Sequence, residues 1–275
     1  MAVVGRIFAL LLVLLVPLAA WAEAVAIGVP AAVMNSPWLS GSDPASFVLR
    51  NSITEPLVRV ESGGRLRFAL AGALQRSPAQ GTVKIKVRST AYFHNGRPVQ
   101  AEDLVFSVER CIKLGGLPPE LRIEIAPGSA DWVTLSGAEE SRWLEGLSQC
   151  PIVEKQSGEL FGATLGTGTN LVASGLYRIV DTGREVLLAH PGGKSDAGPE
   201  KIAIHAFPDP RNGLTALRSG TIDLLFSEDP ETLERAQKDE TLSVSKCSIY
   251  MVIYRRGFNL QCEPFLDVSA FGYRG

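Results

Sequence analysis

Apolar and polar positions along this chain alternate between the two-residue rhythm of strands and the three-to-four-residue rhythm of helices. Glu23 to Val29 (EAVAIGV) reads as a short apolar strand that Pro30 ends. Phe47 to Val60 begins in a helical pattern and turns extended at EPLVRV, and Gly63-Gly64 makes a hairpin turn into Leu66–Leu70. Thr82 to Val87 (TVKIKV) alternates strictly, the pattern of a half-buried strand. Leu121–Ile125 and Asp131–Leu135 read as two further short strands, and Glu139–Leu147 as a helix with Trp143, Leu144 and Leu147 on one side. Leu160 to Ser174 is rich in Gly and Thr and reads as loop, as does Asn35 to Ser46.

The second half continues the alternation. Ser174–Ile179, Glu185–Ala189 and Lys201–Ala206 read as strands. Asn212–Ser219 is a helix, with Gly220 where a left-handed cap is wanted. Thr221–Phe226 is a strand, Pro230–Lys238 a helix, and Ser243 to Asn259 one long extended segment. Interleaved strands and helices, with 27 Gly and 17 Pro for turns, predict a mixed α/β fold rather than a helical bundle.

The most informative stretch is Ala91–Arg110, AYFHNGRPVQAEDLVFSVER. Asn95-Gly96 supplies a tight turn, since both residues tolerate positive φ. A helix starts near Ala101, with Glu102 and Asp103 in the first turn, where the helix dipole favours carboxylates. Leu104, Val105 and Val108 form its apolar stripe. Turn, cap and stripe in this register resemble the F-H-[ND]-G-x-P-[VL]-x-A-E-D-V-x-F-S-[LV]-x-R signature of the family 5 extracellular solute-binding proteins, the dipeptide-, oligopeptide- and nickel-binding receptors of ABC importers. LTALRSGTIDLLF resembles that family's A-L-x-[AS]-G-E-I-D motif. Gly257-Phe258-Asn259 with Pro264-Phe265-Leu266-Asp267 resembles its G-F-N … P-F-x-D crossover. LSQCPIVEK resembles the segment I-V-x-K, and SGLYRI the entry strand G-T-G-P-Y-x-[IV], with Leu176 in place of Pro. The aromatic residues of the N-P-x-Y-W-x-G-x-P link are absent.

The resemblance implies a periplasmic-binding-protein type II fold. Residues 23–50 and 173–247 would form the core of the first lobe, residues 51–172 an inserted α+β subdomain, and residues 248–275 the crossover strand and the start of a second lobe. Family members are roughly twice this length and continue V-R-x-A-[LI] after P-F-x-D. Here Val268 is followed by SAFGYRG. The expectation is a first lobe with the second lobe missing, a truncated form with impaired ligand binding. By the same resemblance, ligand contacts come from Met34 and Asn35 after the opening strand, from Ser227 and Glu228 after the G-x-I-D strand, and from Tyr250 and Tyr254 on the crossover strand. Ordinary loop and strand packing is the competing reading at each. Arg255-Arg256 offers a partner for a ligand carboxylate or simply an exposed pair of charges. The implied partners are a peptide or similar small solute and an ABC permease of the inner membrane. The rival reading is a standalone one-lobed exported protein that binds a protein partner, a sensor or a permease.

The N-terminus reads as an export signal at residues 1–22. Arg6 is the positive n-region, Ile7 to Leu15 the apolar run, Pro17 its break and Ala20-Trp21-Ala22 the small-x-small cleavage pattern. The run is shorter than the roughly 20 residues a membrane span needs. The mature chain is therefore expected in a periplasm. An exported chain with Cys111, Cys150, Cys247 and Cys262 can form two disulfides in three pairings. Cys111 with Cys150 is favoured because both lie in one subdomain, and Cys247 with Cys262 is its companion. Free buried thiols are the alternative.

Net charge is −2, which offers no general case for nucleic acid. Gly193-Lys194-Ser195 lacks the first Gly of a phosphate loop, because Leu188 stands there. Gly166-Thr167-Gly168 lacks the third Gly of a dinucleotide fingerprint. No G-x-S-x-G occurs, and none of the three His stands at ligand spacing with a Cys. His94, His190 and His205 read as structural. The sequence predicts no enzyme, no cofactor and no metal site.

Overall fold

The computed structural model describes residues 24–30, 44–60, 65–161, 171–181, 186–189, 199–247, 250–256 and 258. The export signal, Met34, Asn35, Cys262 and the segment from 259 onward lie outside the described residues.

Two sheets organise the chain. The larger has seven strands in the order β12-β13-β11-β1-β10-β9-β8. Its centre is β1 (Ala24–Pro30), parallel to β10 (Lys201–Phe207) on one side and to β11 (Leu224–Ser227) on the other. Beyond β10 lie β9 (Val186–Ala189) and β8 (Arg178–Asp181), both antiparallel pairings. Beyond β11 lies the hairpin of β12 (Leu242–Cys247) and β13 (Tyr250–Arg255). The long extended segment expected over 243–259 is therefore two strands folded back on each other.

Both faces of this sheet are covered, which explains why its central strands are apolar almost throughout. Val25, Ile27 and Val29 point to one side, where α1 (Pro44–Ile53) contributes Leu49 and Ile53 and β8 follows the buried Tyr177. Ala26, Leu225 and Ile253 point to the other, where α5 (Pro210–Ser219) and α6 (Pro230–Gln237) contribute Leu214, Leu217 and Ala236. Gly28 leaves room for its neighbours on this second face. A Cβ there would stand 2.5 Å from the Ile222 side chain and 3.1 Å from the Phe207 ring.

The second sheet is antiparallel, β4-β5-β7-β6, and is built from the middle of the chain. β5 (Thr82–Val87) has the alternation expected of it, with Val83, Ile85 and Val87 buried. It pairs with β4 (Ala71–Ser77) and β7 (Trp132–Ser136), and β7 pairs with β6 (Arg122–Ile125). A small hairpin, β2 (Val58–Val60) with β3 (Leu66–Phe68), leads into it. α2 (Ala101–Lys113) and α3 (Glu140–Gln149) close its apolar face around the buried Leu104, Val108, Trp143 and Leu147. A short α4 (Lys155–Phe161) follows in a stretch where the sequence had signalled no helix. Gly158 sits inside it because a Cβ would meet the Phe106 ring at 2.4 Å.

A disulfide joins Cys111 at the end of α2 to Cys150 after α3. Cys247 ends β12, and its proposed partner Cys262 lies outside the described residues.

Candidate functional site

The crossing β10–α5–β11 passes over β1, so the sheet reverses its winding there. Three parallel strands end side by side at that point. In open α/β sheets this carboxyl edge is where ligands bind. The registers Pro30↔Phe207 and Gly28↔Leu225 put Pro30, Phe207 and Ser227 at one level.

Each outer strand of this trio runs into a helix that starts at the same edge. After β10, the Asp209 carboxylate accepts from Arg211 N at 2.9 Å and caps α5, with Pro210 at its first position. After β11, the Asp229 carboxylate accepts from Thr232 N at 2.8 Å and caps α6, again with Pro in the first turn. These caps satisfy otherwise orphaned amides. Asp209 is held below the ordinary carboxylate range mainly by its side-chain bond from Arg211, and Asp229 by its bonds from Thr232.

Ser227 is buried at 2 % exposure, and its hydroxyl accepts from Asp229 N at 3.2 Å. It therefore sets the turn from strand to helix. Glu228, the next residue, is exposed at the edge. The register Ser227↔Met251 brings the backbone of Tyr250 to the same edge.

Tyr254 lies elsewhere. It pairs with Leu224, three residues back along β11, or about 10 Å at ~3.3 Å per residue. Its hydroxyl lies 3.0 Å from the Ser245 hydroxyl. The structure thus gathers Ser227, Glu228 and Tyr250 and separates Tyr254 from them. Met34 and Asn35 follow β1 outside the described residues. Arg255 donates to Asp223 at 2.9 Å, whose other oxygen accepts from Ala26 N at 3.0 Å. Arg256 donates to Leu242 O at 3.1 Å. Both arginines have partners within the sheet.

A second polar cluster lies where the two sheets meet. Asp103, fully buried, accepts from Arg97, from Gln100 N at 2.9 Å and from Lys155 N at 2.9 Å. Glu154, also buried, accepts from Asn95 Nδ2 at 2.9 Å and from Arg97 Nε at 2.8 Å. Arg97 stacks 5.0 Å from the Phe93 ring centroid. The Asn95-Gly96 turn, the start of α2 and the segment before α4 are thereby pinned together. Local spacing alone puts Asp103 at the helix dipole and Asn95 in the turn. Arg97 bridges them to Glu154, a residue remote in sequence that no local motif marks.

Among the described residues no group of His, Cys, Asp and Glu is placed to hold a metal ion. No described helix is long and apolar enough to cross a membrane.

Residues 66–270 match the model of the bacterial extracellular solute-binding proteins, family 5 (Middle). The chain belongs to this family. No curated protein matches it. Solved structures share its fold at low identity. NikZ from Campylobacter jejuni, in complex with Ni(L-His), aligns with a TM-score of 0.63 at 21% identity over 82% of this chain and 48% of its own. DppA from Helicobacter pylori, in complex with the peptide STSA, gives 0.61 at 19% over 82% and 50%. MoaA from A. tumefaciens R10, in complex with mannopinic acid, gives 0.67 at 18% over 82% and 49%. The chain thus spans about half the length of the structures it matches, with the α/β architecture of a single lobe of a periplasmic binding protein.

Proposed function

We propose that this chain is the solute-binding component of a peptide- or nickel-type ABC importer, led to the periplasm by residues 1–22, and that its carboxyl edge is one wall of the ligand cleft. The observation that carries the reading is the coincidence of family membership with a strand-order reversal flanked by two capped helix starts. Ser227, Glu228 and Tyr250 at that edge, with Met34 and Asn35 following β1, are the contacts we assign. Tyr254 is left out because the register carries it to the far end of β11.

The solute class follows from relatives. NikZ holds a nickel–histidine complex, DppA a peptide and MoaA mannopinic acid. All three are small polar solutes, and a peptide is the first to try. Ligands of this kind are held by burial of most of their surface between two lobes that close. A single wall leaves half of the solute in water. The described unit therefore binds weakly alone and hands nothing to a permease until a second wall closes over it. We assign it no catalytic step.

Isothermal titration of the purified chain with a pool of short peptides tests this. The expected result is weak heat that does not saturate below millimolar peptide. Saturable binding at micromolar or tighter Kd would overturn the one-wall reading.

A further inference from the structure

The junction between the two sheets contains a histidine in an unusual setting. His94 follows Phe93 in the turn that leads to α2. Its backbone amide donates to Ala173 O at 2.8 Å, and its Nε2 lies 2.8 Å from Gly175 O. A carbonyl can only accept, so Nε2 carries the hydrogen and Nδ1 is the bare nitrogen. That Nδ1 is buried and has no partner among the described residues.

The far side of the contact is equally constrained. Gly175 N donates to Ile53 O and Tyr177 N to Ser52 O, both at 3.0 Å, so this segment is stitched to the end of α1. A Cβ on Gly175 would stand 2.3 Å from the Ile53 carbonyl carbon. Tyr177 then enters the core of the large sheet, with its hydroxyl donating to Pro199 O at 2.8 Å. His94 thus fastens the turn of the inserted unit to the strand that enters the large sheet.

We infer that His94 is an acid-sensitive latch between the two sheets: as a neutral ring it holds the Gly175 carbonyl, and as a cation it cannot be accommodated there and lets the units loosen. Protonation adds a second N–H at Nδ1, in a place with no acceptor, and an unpaired buried donor of this kind is costly. It also adds a positive charge. The charged groups around the junction are Arg178 at the start of β8, Arg97 in the same turn, Glu154 just before α4 and Lys155 at its first position, and Glu55 with Arg88 beside α1. Arg97 is committed to Asp103 and Glu154, and Arg88 to Glu55. Arg178 is the charge that acts on the ring, and it repels a second cation. Burial first, and Arg178 in addition, hold His94 below the ordinary histidine range, against the bond to Gly175. The remaining backbone bonds across the junction keep the units tethered once the latch releases.

The direction with pH follows from linkage. The unfolded chain takes up the proton at the ordinary value of about 6.5 and the folded chain only below it. Stability contributed here is complete above about 6.5 and falls as pH drops from there to the folded value. Glu55 runs the other way, since burial raises its carboxyl. The comparison with His94→Gln therefore isolates the latch, because the Gln amide can donate to Gly175 O and does not titrate.

Two measurements on the full chain test it. Imidazole nitrogen NMR is expected to show the Nε2–H tautomer at pH 7.5, with His94 protonating below the ordinary histidine value of about 6.5. Amide hydrogen exchange, corrected for intrinsic rate, is expected to show protection at His94 and Gly175 falling at least tenfold relative to Ile85 between pH 7 and pH 5. In His94→Gln that relative loss should vanish. Titration of His94 at or above the ordinary value of about 6.5 would overturn the inference, as would the same relative loss in the variant. If the variant does not fold, the NMR titration of the native chain decides alone.

Discussion

At the residue scale, Arg97 is the side chain on which most depends. It joins two buried carboxylates, Asp103 and Glu154, that would otherwise have no ion-pair partner. Removing one member of a buried ion pair costs about 3–5 kcal/mol, because the remaining charge is stranded. Arg97→Ala is expected to lower unfolding stability by about 3 kcal/mol in a urea titration, while Arg142→Ala, at an exposed pair, leaves the urea midpoint essentially unchanged. Glu55 offers a second test. Its carboxyl is raised by burial, against the pull of Arg88, so its contribution is present below about 4.5 and is lost as pH rises through the folded value. Glu55→Gln should therefore gain on the parent chain in melting temperature as pH rises from 4.5 to 7. A difference that stays flat with pH would contradict the burial argument. These residues were only half legible beforehand. Asn95, Gly96 and the carboxylates of α2 announce a turn and a cap through local spacing. The ties of Asn95 to Glu154 and of Asp103 to Lys155 depend on tertiary contacts that no local pattern carries.

At the scale of elements, the strongly periodic stretches were readable and the weakly patterned ones were not. TVKIKV gave β5 because its alternation matches a sheet with one buried face. β4 went unread: it is an edge strand whose AGALQRS does not alternate, with a register shift between Ala71 and Ala73. α4 is short and carries Gly158, so its propensity signal is weak and only packing on Phe106 shows its reason. The apolar run from 243 hid a hairpin, since two buried strands in sequence look like one. The Cys111–Cys150 link supports a testable claim here. It ties α2 to the segment that carries Glu154, closing a loop of 39 residues in sequence separation. Replacing both cysteines by Ser should cost about 2–4 kcal/mol in reversible unfolding under non-reducing conditions. Gly175→Ala should also destabilise, by at least the ~1–3 kcal/mol typical of overpacking, because the atoms it meets are backbone and cannot step aside.

At the scale of the whole molecule, fold class and family were legible from three motifs in order, and the structure gives them physical roles. The A-L-x-[AS]-G-E-I-D match is the end of α5, its left-handed Gly220 and the entry to β11, with Asp223 binding β1 and Arg255. The edge where Ser227, Glu228 and Tyr250 converge was legible only as far as motif order reaches. Strand register decides which of two tyrosines four residues apart stands there. The most direct test of the central claim is photo-cross-linking of the chain with a short photoreactive peptide at millimolar concentration, mapped by mass spectrometry. Labels competed by free peptide should fall at the carboxyl edge, on Ser227–Glu228, Tyr250 and the residues after Pro30. Competed labels confined to the four-stranded sheet or to the far end of β11 around Tyr254, or no competed label at all, would contradict it.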